Sequence, residues 1–526
     1  MGKNRISIYL CVVAFMLAML CATFATADVK LPAFISDSMV IQRHVSVPIW
    51  GSADPGEKVT VTLNAKKISA VADKDGKWMV KFKALKSGGP YEMTVSGKNK
   101  IVVKDVMVGE VWICSGQSNM QWDVRNSANV EKETADANFP MIRMFTVKRT
   151  VSDKPLSDTS GKWAVCSAET VPGFSAVGYF FARDLFNSLK VPIGMIHTSW
   201  SATPAESWTP KEILMSDPDF KPILDRWEKA VASYPEAQKK YQEQLAQWET
   251  DSKKTKDEGK QEPKKPNPPQ PPETSPFMPS SLYNAMINPL IPYAIKGAIW
   301  YQGESNAGRA YQYRKLFPEM IKSWRKAWGK VNFPFLFVQL ANFMPEKPEP
   351  SDSAWAELRE AQTLTLSLPN TGMAVIIDVG EANNLHPKNK QDVGHRLALN
   401  ALAMAYGRSM VFSGPLYQSI ELYSDLSQVG GVKIKIKFRY SQDGLMTKNN
   451  EPLKGFAIAG EDKKFVWANA QIEGESVIVW SDKVTKPMAV RYAWADNPVC
   501  NLYNKSELPA SPFRTDDWKG VTADNK

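Results

Sequence analysis

Histidine and cysteine are scarce in this sequence. Its 526 residues include four histidines and five cysteines, and no group of cysteines has the spacing of a zinc site. Two cysteines, Cys11 and Cys21, fall in the first 27 residues, which leaves three in the rest of the chain. Three thiols cannot all pair, and a large domain does not need disulfide support, so we expect free, buried thiols.

Long apolar runs are also rare. The longest, Ile8–Leu20, is shorter than the roughly 20 residues that a bilayer-spanning helix needs. Lys3 and Arg5 precede it and the small residues Ala25–Ala27 follow it, which is the pattern of a cleaved secretory signal. We therefore expect residues 1–27 to be a signal peptide and the mature protein to be secreted or periplasmic, without a membrane span; a single anchoring helix is the alternative.

The charge gives little support for a nucleic-acid partner. The formal net charge is +10, from 65 Lys and Arg against 55 Asp and Glu. The lysines are spread along the chain and no nucleic-acid-binding motif is present, so we expect no nucleic acid to bind. This excess of positive charge is compatible with a mild attraction towards acidic glycans.

Short alternating segments at both ends predict β structure. Residues 28–106 contain Lys58–Leu63 and Trp78–Phe82, separated by turn residues, and residues 414–526 contain the alternating segment Val432–Lys437. Alternation of apolar and polar residues with turns between them is typical of antiparallel sheets. We expect an N-terminal and a C-terminal β module, both sandwich-like.

The centre, residues 107–413, has a different pattern. Fully apolar runs alternate there with helical patterns such as Phe174–Leu189 and Gln391–Tyr406, which indicates a parallel sheet covered on both faces. The runs that we expect to be strands are Val111–Cys114, Ile193–Ile196, Ala298–Trp300, Phe335–Val338 and Ala374–Ile377.

One part of the centre reads as an insertion. Within residues 210–276, the charged, Gln-rich, helix-like segment Trp227–Lys260 leads into the proline run Pro263–Pro272. Such composition suits a solvated decoration better than a lid or a partner-binding arm.

Unusual polar residues follow the predicted strands. Open parallel sheets place ligands beyond the carboxyl ends of their strands. The segments at four of these ends are Ser115–Met120, Thr198–Pro204, Tyr301–Asn306 and Glu381–Pro387. The first is a tight, glycine-containing turn that would present the hydroxyl of Ser118 at the start of a helix.

A serine hydroxyl needs a base to accept its proton, and imidazole has a suitable pKa. His44 lies in the N-terminal β module, His197 ends a buried strand, and His395 lies within a helical pattern. His386 is the histidine that occupies a loop beyond a strand end. Elimination therefore favours Ser118 as a nucleophile and His386 as its base.

The negative charge that develops on an attacked carbonyl oxygen needs preorganised donors, each contributing roughly 3 kcal/mol. Candidates are the backbone N–H groups of Ser118 and of the Ser201-Ala202 turn, together with the side-chain amide of Gln302 or Asn306. Loop asparagines and glutamines are more often turn or capping residues.

At these segments the sequence resembles the sialate O-acetylesterase family, within the carbohydrate-esterase branch of the SGNH hydrolases. The resemblance covers nearly the whole mature chain. It implies a flavodoxin-like α/β/α core, hydrolysis of acetyl esters on sialic acid or related sugars, and neither metal nor other cofactor. By this resemblance Ser118 is the nucleophile, flanked by Gln117 and Asn119, and His386 is the base. The motifs that carry it are Gly116-Gln117-Ser118-Asn119-Met120, Phe174–Phe180, Trp300–Asn306 with Gln302, Gly303 and Glu304 in the active-site loop, and His386-Pro387-Lys388-Asn389-Lys390.

The chain departs from the family pattern at two places. Ser201-Ala202 stands where the family usually has a Gly-Gly pair. Asn383 and Asn384 stand where it commonly has an aspartate before the histidine, and an asparagine carries no charge to stabilise an imidazolium. Glu381, Asp378 or a backbone carbonyl are the candidates for the third member of a triad, and a Ser-His dyad is the alternative.

Aromatic and cationic residues near these segments are candidates for contacts with a sugar. Trp122, Arg125, Trp208 and Trp300 are candidates to line a sugar site, although the last two suit a core equally well. The partner that we expect is an O-acetylated sugar or glycan, with acetylxylan or another plant glycan as alternatives to sialic acid. An inactive carbohydrate-binding homologue is a further alternative, and the oligomeric state is not indicated.

Overall fold

The computed structural model describes residues 28–330, 332–423 and 432–526. The predicted signal peptide, residues 1–27, lies outside the described residues. Within the described ranges, no helix is both long enough and apolar enough to cross a membrane.

The N-terminal region consists of β strands. In β5 the residues Trp78, Val80 and Phe82 are buried while the lysines between and before them are exposed, so one face packs on the core. The strands of this region are β1 (Val40–Gln42), β2 (Val47–Ser52), β3 (Lys58–Leu63), β4 (Lys66–Val71), β5 (Lys77–Phe82), β6 (Gly88–Ser96) and β7 (Lys100–Gly116).

β7 belongs to two parts of the molecule. Its first half pairs antiparallel with β6. Its second half, from Glu110 to Gly116, lies in the central sheet, where its neighbours run parallel to it. The boundary predicted between residues 106 and 107 therefore falls inside one continuous strand.

The central sheet confirms the α/β class. Its strands are linked in the order β13-β12-β11-β7-β10-β8-β9, and every neighbouring pair is parallel except β8 with β9. β10, β11, β12 and β13 are buried throughout, as expected for a sheet covered on both faces. The strands that join β7 in it are β8 (Phe139–Thr146), β9 (Trp163–Cys166), β10 (Ile193–Ser199), β11 (Gly297–Tyr301), β12 (Phe335–Val338) and β13 (Thr371–Ala374).

One strand boundary differs from the prediction. The last strand ends at Ala374, so Val375–Ile377 lies beyond the strand. The five buried parallel strands β10-β7-β11-β12-β13, numbered along the chain, have the flavodoxin-like order 2-1-3-4-5, and β8 adds a sixth parallel strand outside β10. The fully buried β10 takes the place beside β7, and β8, whose first residues are partly exposed, takes the outer position where it pairs with β9.

After β7 the chain first adds β8 and β10 on one side of β7, and later adds β11, β12 and β13 on the other side. A sheet that changes direction in this way opens a crevice beyond the carboxyl ends of the strands at the change, here β7, β10 and β11. This crevice is where three of the four polar segments of the sequence lie.

Helices cover the sheet. α3 and α8 approach closely because α8 contains Gly394, where a Cβ atom would lie 2.6 Å from the Cβ of Phe180 on α3. The helices are α1 (Ser118–Gln121), α2 (Val130–Ala135), α3 (Ala176–Leu189), α4 (Lys211–Met215), α5 (Lys221–Asp257), α6 (Ala310–Ala327), α7 (Ala354–Leu364) and α8 (Lys390–Tyr406).

The predicted insertion forms an arm of helix and extended chain. α5 has a half-buried residue at every third or fourth position from Tyr234 to Thr255, which is one face of a helix. In the proline run, every third residue from Pro263 to Pro272 is half-buried, as in a polyproline II helix. The indole of Trp248 donates a hydrogen bond to the Pro263 carbonyl, at 2.7 Å. The prolines therefore pack along one face of α5.

The C-terminal β module has a core of its own around Ile434, Ile436 and Val479. The predicted alternating strand is β15. The strands are β14 (Leu416–Tyr423), β15 (Lys433–Arg439), β16 (Leu445–Thr447), β17 (Phe456–Ala459), β18 (Val466–Trp467), β19 (Asn469–Glu473), β20 (Ser476–Trp480), β21 (Ala489–Tyr492), β22 (Leu502–Asn504) and β23 (Phe513–Arg514).

The described cysteines are unpaired, as predicted. Cys114 and Cys166 are buried, and Cys500 is half-buried.

Candidate active site

Ser118 begins α1 directly after the turn that ends β7. Gly116 has a φ of +138°, and a Cβ atom there would lie 2.1 Å from the Tyr301 carbonyl oxygen at the end of β11. Only glycine permits this close approach. The Gln117 N–H then donates to the same carbonyl at 3.0 Å. The turn is thereby fixed against the neighbouring strand, with the Ser118 side chain at the helix start.

His386 lies in the loop between β13 and α8. Its ring stacks on Trp122, with 4.8 Å between the ring centroids and 15° between the planes. Trp122 follows α1 and donates its backbone N–H to the Ser118 carbonyl at 2.8 Å. The backbone N–H of His386 donates to Asn384 Oδ1 at 2.9 Å. Stacking on Trp122 thus holds the imidazole ring, and the backbone bond to Asn384 fixes the loop that carries it.

Asn119 joins the serine turn to the histidine loop. Its side-chain amide donates to the carbonyl of Leu385, the residue before His386, at 3.0 Å. The Nε2 atom of His386 is buried and has no hydrogen-bond partner among the described residues. Sequence-distant residues 118 and 386 therefore lie in adjoining segments of one crevice, and the ring carries a nitrogen that is free to accept a proton.

The candidate carboxylates do not reach the imidazole. The Glu381 oxygens accept hydrogen bonds from the Asn384 amide at 3.1 Å and from the Lys388 backbone at 2.9 Å. Asp378 pairs with Arg396 at 2.6 Å and accepts from the Tyr503 hydroxyl at 3.1 Å. The catalytic role predicted for Glu381 is not supported by these contacts, because its carboxylate folds back onto its own loop.

Three donors of the predicted oxyanion site remain available. The N–H of Ser118, at the start of α1, and the N–H of Ala202 donate no hydrogen bond within the described ranges. Asn306 uses its amide once, to Glu206 Oε2 at 2.8 Å, and its carbonyl oxygen accepts from the Ala205 N–H at 2.9 Å. The second N–H of the Asn306 side-chain amide has no hydrogen-bond partner among the described residues.

Two predicted donors are already engaged. The Ser201 N–H donates to Gln121 Oε1 at 2.9 Å. The Gln302 amide donates to Asn306 Oδ1 at 2.6 Å and to the Thr203 carbonyl at 3.4 Å, and its oxygen accepts from Tyr313. These two residues position the loops and are unavailable to a substrate oxygen.

Gln117 and Gly303 also have positioning contacts. The Gln117 Oε1 atom lies 3.4 Å from the backbone N–H groups of Gly303 and Ser305. The Ser305 hydroxyl donates to the Ala202 carbonyl at 2.8 Å, so the loops after β7, β10 and β11 are tied into one unit.

Behind the serine turn lies a buried chain of polar and charged groups, of which Asn119 and Glu304 were predicted as site residues and Lys390 was not. Lys390 is fully buried and its Nζ donates to Asn119 Oδ1 at 2.6 Å. Asn119 in turn donates to Glu304 Oε1 at 2.6 Å, and Glu304 Oε2 is buried without a partner among the described residues. Lys390 is the first residue of the amphipathic helix α8. A solvent-exposed lysine at this position would give the same sequence pattern, so the pattern does not predict that Lys390 is buried.

Known proteins resemble this chain over most of its length. Residues 108–259 and 273–403 match the family described as carbohydrate esterase, sialic acid-specific acetylesterase. The chain belongs to this family. The mouse sialate O-acetylesterase is 33% identical, with 92% of this chain and 94% of the mouse protein covered. The human sialate O-acetylesterase is 31% identical, with 92% of each chain covered.

A solved structure extends the likeness to three dimensions. A carbohydrate acetylesterase from Xanthomonas citri is 38% identical and superimposes with a TM-score of 0.78, covering 93% of this chain and all of that one. The chain is therefore a carboxylic ester hydrolase of the sialate O-acetylesterase type.

Burial and charge set the proton affinities in this esterase. Burial, and next the positive charge of Lys390, hold the pKa of His386 below its usual value of 6.5. Burial lowers the pKa of Lys390 to about 7 and raises the pKa of Glu304. An imidazole with a lowered pKa is neutral at neutral pH, which is the form that can accept a proton.

The other histidines of the esterase have separate contacts. His197 Nε2 lies 2.6 Å from the Ser199 hydroxyl, and burial lowers the pKa of His197 to about 4. His395 pairs with Asp184 at 2.7 Å on the outside of α8.

The aromatic and cationic candidates divide between core and surface. Trp208 and Trp300 are fully buried against each other and belong to the core. Arg125 has an exposed side chain that pairs with Asp123 at 2.9 Å. Trp122 contacts the histidine of the crevice, so Trp122 and Arg125 are the members of this group that remain available to a sugar.

Proposed function

We propose that the protein is an exported serine esterase that removes O-acetyl groups from sialic acids. Ser118 is the nucleophile and His386 is the base. The observation that carries the proposal is the hydrogen bond from Asn119 to the Leu385 carbonyl, which ties the serine turn to the histidine loop. The family membership of the chain supports the same assignment.

The reaction follows from these roles. The Ser118 oxygen attacks the acetyl carbonyl carbon while His386 Nε2 accepts the hydroxyl proton. The tetrahedral intermediate collapses, the sugar oxygen leaves with the proton from the imidazolium, and an acetyl ester remains on Ser118. Water then attacks this ester, gives its proton to the imidazole, and acetate is released as the proton returns to the serine oxygen.

The oxyanion is stabilised by the donors that have no other partner. These are the backbone N–H groups of Ser118 and Ala202 and the second side-chain N–H of Asn306. Each such donor contributes roughly 3 kcal/mol to the stabilisation of the transition state.

A Ser-His dyad suffices in this scheme. In a triad the carboxylate orients the imidazole and stabilises its charged form. Here stacking on Trp122 and the backbone bond to Asn384 provide the orientation. The charge-stabilising part is absent among the described residues, because the charge that acts on the His386 ring is that of the cation Lys390, and we expect a turnover slower than that of an enzyme with a full triad.

The test measures acetate release from 9-O-acetylated sialic acid and, separately, from acetylated xylan. The wild-type protein should release acetate from the sialic acid, and Ser118→Ala and His386→Gln should not. Ser233→Ala and His395→Gln serve as matched controls, because the side chains of Ser233 and His395 are exposed and lie outside the crevice, and they should retain activity. Mass spectrometry of a rapidly quenched reaction should find one acetyl group on the peptide that contains Ser118.

Two results would contradict the proposal. Preferential release of acetate from xylan would identify the substrate as a plant glycan and leave the proposed esterase reaction unchanged. Release from neither substrate, nor from p-nitrophenyl acetate, would leave a carbohydrate-binding protein without esterase activity.

Export is tested on the intact gene product. We expect N-terminal sequencing of the mature protein to begin at Asp28, and the protein to be found outside the cytoplasm.

A further inference from the structure

A second cleft lies outside the crevice of Ser118, between the C-terminal β module and residues 343–353 of the catalytic domain. It has a volume of about 170 Å³. An enclosed cavity of roughly 150 Å³ holds a benzene molecule, so the cleft has room for one six-membered ring. The residues that line it are Pro350, Ser351, Asp352, Gly455, Ala457, Lys463, Phe465, Trp467, Arg491 and Trp494.

The aromatic part of the cleft is rigid and partly open. Trp467 on β18 is 46% exposed, and its indole N–H donates to the Pro348 carbonyl at 2.7 Å. This bond fixes the ring while leaving much of its surface uncovered. The guanidinium of Arg491 lies 4.1 Å from the ring centroid of Phe465 and 5.2 Å from that of Trp494, so both rings are held in place.

The polar groups of the cleft are those that bind hydroxyls. The Ser351 hydroxyl is buried and has no partner among the described residues. The Asp352 side chain is 63% exposed and its carboxylate lies 3.3 Å from Arg491. Arg491 itself is neutralised by the buried Asp516 at 2.9 Å. Lys463 offsets the charge of Asp352 in the lining, so no net charge favours an anion. A neutral ligand with an apolar face and several hydroxyls satisfies both parts of the lining.

The wall of the cleft also contacts the histidine loop. Residues 343–353 follow β12, and at their start the Met344 N–H donates to the Ala382 carbonyl at 3.0 Å. The Met344 carbonyl accepts from the Asn497 amide of the C-terminal module at 2.8 Å. One segment therefore touches the loop that carries His386 and forms the side of the cleft.

We propose that this cleft binds a neutral pyranose ring of the glycan whose acetyl ester is cleaved at Ser118, with the ring stacked on Trp467. The proposal rests on the proposed esterase function for the identity of the glycan. Its sugar unit is distinct from the acetylated one, which for a sialic acid is anionic and lies at the serine. Galactose of a sialylated glycan and xylose of a xylan share the required chemistry.

Direct binding tests the cleft without any ester chemistry. Full-length Ser118→Ala protein is titrated with lactose and with xylobiose, and binding is followed by ligand-observed NMR. We expect one of them to bind with a Kd on the order of 1 mM. Trp467→Ala should weaken this binding on the order of tenfold, and Trp467→Phe, which keeps an aromatic face, should restore most of it.

Trp480→Ala is the matched control, because Trp480 lies on the other sheet of the same module and outside the cleft. It should leave binding unchanged. The cleft assignment is overturned if neither sugar binds, or if Trp467→Ala and Trp480→Ala weaken binding equally.

Kinetics test the link to the serine. Trp467→Ala should raise the KM for 9-O-acetylated 3′-sialyllactose by about tenfold, with kcat unchanged and with p-nitrophenyl acetate hydrolysis unaffected. An unchanged KM would overturn the link. Loss of all esterase activity in the wild type would refute the proposed function separately, because lactose binding does not depend on it.

Discussion

Replacing the buried Lys390 with methionine should change stability in opposite directions at low and high pH. Burial holds the pKa of Lys390 at about 7 in the folded protein, against a usual value of 10.5. Between these values the unfolded chain binds a proton that the folded protein does not, so the free energy of unfolding rises with pH by about 1.4 kcal/mol per unit. Below pH 7 the full penalty, on the order of 5 kcal/mol, applies to the wild type.

Methionine carries no charge, so Lys390→Met removes this penalty. It also removes the hydrogen bond from Nζ to Asn119 Oδ1, which is worth about 1–2 kcal/mol. At pH 6 we therefore expect the variant to be more stable by about 3 kcal/mol. At pH 10 the penalty has almost vanished and the variant should be less stable by about 1 kcal/mol.

Activity should fall while stability at pH 6 rises. Without Lys390 the Asn119 amide loses the donor that orients it, and with it the fixed bond to the Leu385 carbonyl. We expect kcat/KM to drop by roughly 10- to 100-fold, equivalent to about 1–3 kcal/mol.

The assay is urea unfolding at pH 6 and pH 10, with p-nitrophenyl acetate hydrolysis measured alongside. Lys388→Met, which removes an exposed lysine from the same loop, is the control and should show neither the pH-dependent difference nor the loss of activity. A stability difference between Lys390→Met and wild type that is the same at both pH values would refute the reasoning.

Three further predictions concern the same site. Asn119→Ala, which cuts the bond between serine turn and histidine loop, should lower kcat/KM by about 100-fold or more with an unchanged circular dichroism spectrum; retention of activity within threefold would contradict this. Because the pKa of His386 is lowered from 6.5, the midpoint of the acidic decline in wild-type kcat/KM should lie below pH 6.5, and the midpoint for Lys390→Met should lie at a higher pH than that of the wild type. Gly116→Ala should lower the free energy of unfolding by several kcal/mol, because the new Cβ would lie 2.1 Å from a carbonyl oxygen. Gly474→Ala, at φ +61° with open space around it, should lower it by about 1 kcal/mol. Thermal melts of the two variants compare these effects.

The sequence predicted the strands and the serine turn well because both depend on local pattern. Apolar runs of four to seven residues mark strands that are covered on both faces, and polar residues that follow such runs must meet at one edge of a parallel sheet. The prediction that Ser118 and His386 lie at the same edge of the sheet was made in this way. The shift of β13 to Thr371–Ala374 shows the limit, since Val375–Ile377 is equally apolar but packs beyond the strand end.

The remaining features depend on contacts between distant segments. Lys390 is buried because Asn119 and Glu304, which are 271 and 86 residues away along the chain, converge on it. Glu381 is the acidic residue nearest to His386 in sequence, yet a short bridge between Glu381 and Asn384 turns its carboxylate back onto the loop.

The continuity of β7 has a mechanical consequence. The backbone that leaves the N-terminal β module at Lys100 remains hydrogen-bonded in a sheet up to Gly116, two residues before Ser118. No flexible hinge separates the module from the catalytic crevice, so the module cannot swing as an independent lid. A fragment that starts at residue 107 would lose the strand pairing that anchors the first half of β7. The strand that leads into the serine turn would then begin at an unpaired, frayed end.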